Sequence, residues 1–181
     1  VVTVGHLYEV GANDNASGPG IMLEAARTLK KLIKRGILKK PKRSIRFLFS
    51  FEIYGTLDWT RKKYKTRKKY MAGLNLDMVG QDQKICSSAL YIHVACDETP
   101  SFSNELLIEI FENIVKKYPK IHWKISKHGS DDGTVLSDPL IGCSSPLIYE
   151  HPDIYYHSEN DTLDKMDAII LKFLNEVTAV Y

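Results

Sequence analysis

The chain has 181 residues, of which 44% are hydrophobic and 26% charged, and its formal net charge is +3. These are the values of one globular domain long enough to bury a sizeable core. No run of about 18 or more apolar residues is present to span a membrane, and no basic segment followed by an apolar one marks a leader peptide. Residues 1–4 (VVTV) read as a buried strand, with His6 at its end. Residues 18–35 carry an apolar stripe of Ile21, Met22, Ala25, Leu29, Leu32 and Ile33, which predicts a helix stopped by Gly36 and Pro41. A strand over 44–50, a basic helix over 55–70, a strand over 71–79 and another over 90–95 follow. Residues 102–117 predict an amphipathic helix with Leu106, Leu107, Ile110, Ile114 and Val115 inward. A short strand over 121–125, a last strand over 144–149 and a closing helix over 163–181 complete the chain. Alternation of this kind predicts a three-layer α/β/α domain with a mixed, largely parallel sheet. Residues 1–181 read as a single domain, and the opening on Val1 in mid-fold leads us to expect upstream residues.

The positive excess gathers in residues 30–46 and 61–69. Such runs suit nucleic acid or the C-terminal ends of helices, where the dipole favours cations. No aromatic interleaving accompanies them, so the helix-end reading is preferred and neither a nucleic-acid nor a membrane partner is expected. Cys86, Cys96 and Cys143 are odd in number and lack Cys-x-x-Cys spacing, which favours free thiols and fits a reducing, cytoplasmic compartment. A secreted protein stays open while the N-terminus reads as incomplete, and the oligomeric state is not legible.

Ligands of α/β proteins collect at the carboxyl ends of strands, and the polar residues there form a set. Asp14 lies in Gly11-Ala12-Asn13-Asp14-Asn15-Ala16-Ser17-Gly18, a strand-to-helix connection. It is a candidate helix cap, but Asn13, Asn15 and Ser17 compete for that role. Glu52 follows an apolar strand and Asp77 interrupts one. Each is ion-paired, protonated or bound to a metal, since a bare unpaired carboxylate there is costly to desolvate. His157 stands between the last strand and the closing helix, whose cap is expected to be Asp161 or Thr162. Two histidines and two aspartates on separate connections match the nitrogen and oxygen ligands of zinc. Glu52, with a carboxyl pKa raised by its surroundings, suits a general base.

With these segments assembled, the chain resembles the M28 family of zinc aminopeptidases. The resemblance rests on the Asp14 segment, Asn75-Leu76-Asp77-Met78-Val79-Gly80, Tyr155-Tyr156-His157-Ser158 through Asp164, and the placing of His6. It implies a zinc exopeptidase-like fold, peptide substrates and two metal positions bridged by Asp14. His6 and Asp77 would complete one site and His157 would belong to the other, with the Asp14–Asn15 peptide cis. Two departures accompany it. The family usually has two adjacent glutamates, a base and then a ligand, whereas here Glu52 stands alone between Phe51 and Ile53. Keeping the Glu-x-x-Gly spacing to Gly55 makes Glu52 the base and leaves one zinc well supplied and a second short of a carboxylate. Aligning Glu52 as the ligand instead puts Phe51 at the base position. The single glutamate is also similar to a less characterised aminopeptidase-like branch. Tyr8 replaces the aspartate that usually supports the first histidine. The segment 128–133 resembles a substrate-lining loop, so Asp131 is a candidate for a substrate amino group or for the missing ligand, against a helix cap. Tyr156 is a candidate to polarise the scissile carbonyl, against simple packing, and His151 to support the site. The expected activity is removal of N-terminal residues from peptides. A metal-binding pseudo-peptidase and a zinc amidohydrolase acting on a non-peptide amide are the alternatives.

Overall fold

The computed structural model describes residues 1–63, 70–127 and 131–181. Six strands form one sheet: β1 (Val2–His6), β2 (Arg46–Ser50), β3 (Gly73–Leu76), β4 (Ala89–Val94), β5 (Trp123–Lys127) and β6 (Leu147–His151). Their order is β2-β1-β3-β6-β4-β5. All pairs are parallel except β4 with β6, so the sheet is mixed and largely parallel, as expected. The helices are α1 (Ser17–Lys34), α2 (Tyr54–Lys63), α3 (Gln83–Cys86), α4 (Ser103–Val115), α5 (Asp132–Ser137) and α6 (Ala168–Val180).

Alternation of side chains along the central strands assigns the helices to two faces. Leu74 and Leu76 of β3, with Leu90 and Ile92 of β4, pack against Ile21 and Met22 of α1, Leu107 and Phe111 of α4 and Phe173 and Leu174 of α6. Val2 and Val4 of β1 point the other way, into a smaller cluster with Leu136 of α5 and Cys143, flanked by Trp59 of α2. This gives three layers around strands that are buried on both faces, the expected state of parallel sheet.

Several expected boundaries shift. The strand over 71–79 ends at Leu76, so Asp77 stands just beyond it rather than interrupting it. The predicted helix over 55–70 is α2 through Lys63, and residues 64–69 lie outside the described residues. The closing helix divides into a 3-10 turn at Leu163–Lys165 and α6, whose first turn is capped by Asp167. Helix α3 and helix α5 are too short to show a periodic stripe and were not expected. Along α4, Leu107, Ile110 and Ile114 are buried as predicted, Leu106 and Val115 only partly, and Phe111 joins them. Of the basic runs, Lys31 and Lys34 lie in the last turn of α1 and Arg61, Lys62 and Lys63 in that of α2, whereas Lys39, Lys40, Lys42 and Arg43 lie between α1 and β2 and residues 64–69 are outside the described residues. All three cysteines are free, with Cys86 and Cys143 buried.

Candidate metal centre

The candidate residues meet at the carboxyl ends of four parallel strands. His6 closes β1, Asp77 follows β3, Glu52 sits in the turn after β2 and His157 lies on the long connection after β6. Asp14 is at the centre, buried, and its two oxygens face different histidines. Its Oδ1 is 3.6 Å from His6 Nε2 and its Oδ2 is 3.0 Å from His157 Nε2. His6 Nε2 is also 3.0 Å from Asp77 Oδ1. Ligand atoms of His6, Glu52 and Asp77 all lie within 4.8 Å of one another, as do those of His6, Glu9 and Asp14. The structure therefore brings together His6, Asp14, Glu52, Asp77 and His157.

The electrostatics of this cluster are those of a cation site. Burial and then the neighbouring Asp77 carboxylate push the Asp14 carboxyl up to about 7, against the pull of His6 and His157. Burial opposes a charge on His6, yet its hydrogen bond to Asp77 and the charges of Asp77, Glu9 and Asp14 outweigh burial and raise it to about 9. Burial, with Asp77 and Glu9 nearby, also raises Glu52. Carboxylates this close repel one another unless a proton or a metal ion lies between them. Histidine nitrogens and carboxylate oxygens are a donor set for a borderline divalent ion, so these residues fit a metal, best on the His6–Asp77 side.

The Asp14 loop is held by a second set of polar residues. The backbone amides of Asn13 and Asp14 donate to Asp161 Oδ1 and Oδ2, each at 2.8 Å. Asp161 therefore does not cap the closing helix, the role expected of it or of Thr162; it clamps the Asp14 loop. Any Cβ on Gly11 would collide with Asp161 Oδ2 and with the Asp14 carbonyl, which accounts for glycine there. Asn13 binds the Asp153 carboxylate through its Nδ2, and its Oδ1 accepts from the Gly80 amide. Asn15 Oδ1 accepts from the Gly18 amide at the start of α1, so Asp14 is released from the capping role. The Asp14–Asn15 peptide is cis, in line with the resemblance, and so is His151–Pro152.

Left-handed backbone clusters at the same place. Ile53 (φ 53°), Met78 (φ 54°) and His157 (φ 53°) each follow or are a candidate site residue. Non-glycine residues in this region cost about 1–3 kcal/mol each, and surrounding structure must hold them there. The Ile53 amide donates to Asp132 Oδ1 at 2.9 Å, and the Met78 amide reaches Asn15 Oδ1 at 3.3 Å. Asp132 is fully buried on α5 and fixes the turn that carries Glu52.

Glu9 is a further candidate residue that sequence reasoning passed over. Its Oε2 lies 2.7 Å from His6 Nδ1, on the far side of the ring from the Nε2 that faces Asp14 and Asp77. Tyr8 does not support His6, but the residue after it does, and the His-x-x-Glu spacing was the available signal. Asp131 caps α5 by accepting from the Thr134 amide and also accepts from Asn75 Nδ2, while burial pushes its carboxyl up to about 6. Residues 128–130 of its loop lie outside the described residues. Tyr156 stacks on His157 with ring centroids 3.7 Å apart. His151 is exposed at the end of β6.

The fold is shared with proteins of known class. The model of peptidase family M28 matches residues 2–181, and the chain belongs to that family. No curated protein matches the chain by sequence search. Among solved structures, a zinc aminopeptidase from Bacillus subtilis is 25% identical, with a TM-score of 0.75 over 99% of this chain. An aminopeptidase from an Aneurinibacillus strain is 23% identical, with a TM-score of 0.73 over 99% of this chain. The chain spans 44% and 42% of those two proteins. A glutaminyl cyclase from Porphyromonas gingivalis shares the fold, with a TM-score of 0.70, 19% identity, and coverage of 99% of this chain and 71% of its own.

Proposed function

We propose that this domain is a zinc-dependent aminopeptidase that releases N-terminal residues from peptides. The observation that carries the reading is the Asp14 carboxylate, which presents one oxygen to His6 and the other to His157. His6, Asp77 and Asp14 Oδ1 would hold one zinc ion. His157 and Asp14 Oδ2 offer a second position with fewer ligands, which fills more weakly. When bound, zinc supplies a Lewis acid that acidifies water and stabilises negative charge on a carbonyl oxygen.

The chain's own groups supply the proton transfer. Glu52, raised by burial and by Asp77, is suited to take a proton from the attacking water and pass it to the leaving amine. Asp132 holds the Glu52 turn, and Asp161 holds the Asp14 loop, so the reacting groups are fixed before substrate arrives. Tyr156, stacked on His157, would polarise the scissile carbonyl.

The test combines metal analysis with a panel of aminoacyl-anilides. At least one zinc per chain is expected, together with turnover that falls roughly 10²- to 10⁴-fold in Glu52→Gln. Zinc binding with equal product release from wild type and Glu52→Gln would remove Glu52 as the base. Zinc binding with no turnover of any amide would leave a metal-binding module, and turnover of N-acyl amides alone would redirect the substrate class.

A further inference from the structure

We propose that Tyr8, Phe51 and Tyr54 form a platform for the side chain of the residue that follows the cleaved bond, so that peptides with an aromatic or large apolar second residue are preferred. This inference rests on the hydrolytic reading above and names the substrate class of the same site.

The three rings stand on two adjacent strand ends, Tyr8 after β1 and Phe51 and Tyr54 around the turn after β2. Tyr8 and Phe51 have ring centroids 4.2 Å apart, and Phe51 and Tyr54 6.3 Å apart. They remain 59%, 48% and 72% exposed, a contiguous aromatic surface that none of the described residues covers. Large apolar side chains left to water beside a polar site mark a place where a ligand supplies the missing contacts.

Position and charge specify that ligand. In amide hydrolysis the water oxygen bonds to the carbonyl carbon, the carbon–nitrogen bond breaks, and the water's proton passes through Glu52 to the departing amine. The departing residue therefore lies next to Glu52, and Phe51 and Tyr54 flank Glu52 on its own turn. Tyr8 extends the platform into a cavity of about 570 Å³ whose other walls include Asp14 and His157. That cavity is otherwise acidic, with Glu9 and Glu159 beside Asp14, and suits the substrate ammonium rather than an apolar side chain. The aromatic surface is left for the second residue, by offset or edge-on packing of its side chain.

The measurement is kcat/KM for Leu-Phe against Leu-Ala, with calorimetric binding of both to zinc-loaded Glu52→Gln. Leu-Phe is expected to be preferred by about tenfold, the discrimination that apolar pockets typically achieve. The preference should collapse toward unity in Phe51→Ala and in Tyr8→Ala, both exposed positions whose truncation leaves the core intact. Equal kcat/KM for the two peptides, or a preference that survives both substitutions, overturns the platform. If neither peptide is hydrolysed, the calorimetry decides. Tighter Leu-Phe binding that Phe51→Ala abolishes upholds the platform and removes the hydrolytic reading. Equal binding overturns the platform.

Discussion

Glu9 shows how a single carboxylate conditions the histidine it touches. Its contact with His6 Nδ1 leaves Nε2 as the nitrogen that faces Asp14 and Asp77, and a negative charge behind the ring increases its basicity. Glu9→Gln keeps the shape and removes that charge. Zinc affinity should fall by roughly 10- to 100-fold, read by competition with a chromophoric chelator, and an unchanged affinity would show that Glu9 does not support His6. The residues legible in the sequence and those that were not differ in how they act. His6, Asp14, Glu52, Asp77 and His157 stand out because each is polar where the local pattern asks for an apolar or turn residue. Asp161 and Asp132 act on backbone amides 147 to 148 and 79 positions away, so no local pattern marks them. Asp161 lies in a polar run where the helix-cap reading was the nearest available role.

At the scale of elements, the decisive piece is the short helix α5. It is six residues long, too short for an amphipathic stripe, and yet it fixes the turn after β2 from across the α2–α5 layer. The strands were readable because buried parallel strands are continuous apolar runs bounded by polar ends. Helix α5 is defined instead by its cap: the Asp131 side chain takes the Thr134 amide, and only tertiary structure places Asp132 against Ile53. Asp132→Ala removes the acceptor for the Ile53 amide and frees a left-handed turn that a β-branched residue does not favour. The expected result is a kcat reduced roughly 10- to 100-fold through misplacement of Glu52, with zinc content retained. Asp132→Asn keeps an oxygen at the same position and should restore most of the activity. If Asn is as impaired as Ala, the carboxylate charge rather than the hydrogen bond is what the site requires.

At the scale of the whole molecule, a buried acid outside the metal centre sets the pH response of the fold. Glu150 on β6 is fully buried, with one oxygen accepting from Ser88 Oγ at 3.2 Å. Burial raises its carboxyl from 4.5 to about 8, against weaker opposition from Gln83, Ser88 and the Gln81 backbone. The folded protein therefore holds this proton at neutral pH, whereas the unfolded chain has released it. Stability from the neutral acid is fully present below about pH 4.5, declines as pH rises, and is lost by about pH 8; the span corresponds to a few kcal/mol, on the order of 1.4 kcal/mol per pH unit. Glu150→Gln places a neutral amide of nearly the same size in the strand and removes this ionisation. The stability difference between variant and wild type cancels the histidines and metal-site carboxylates common to both. Urea midpoints from pH 5 to 8.5 should show the glutamine variant gaining steadily on wild type as pH rises, with the gain levelling off above about pH 8. A difference that stays constant across this range would mean that Glu150 is already ionised in the native fold.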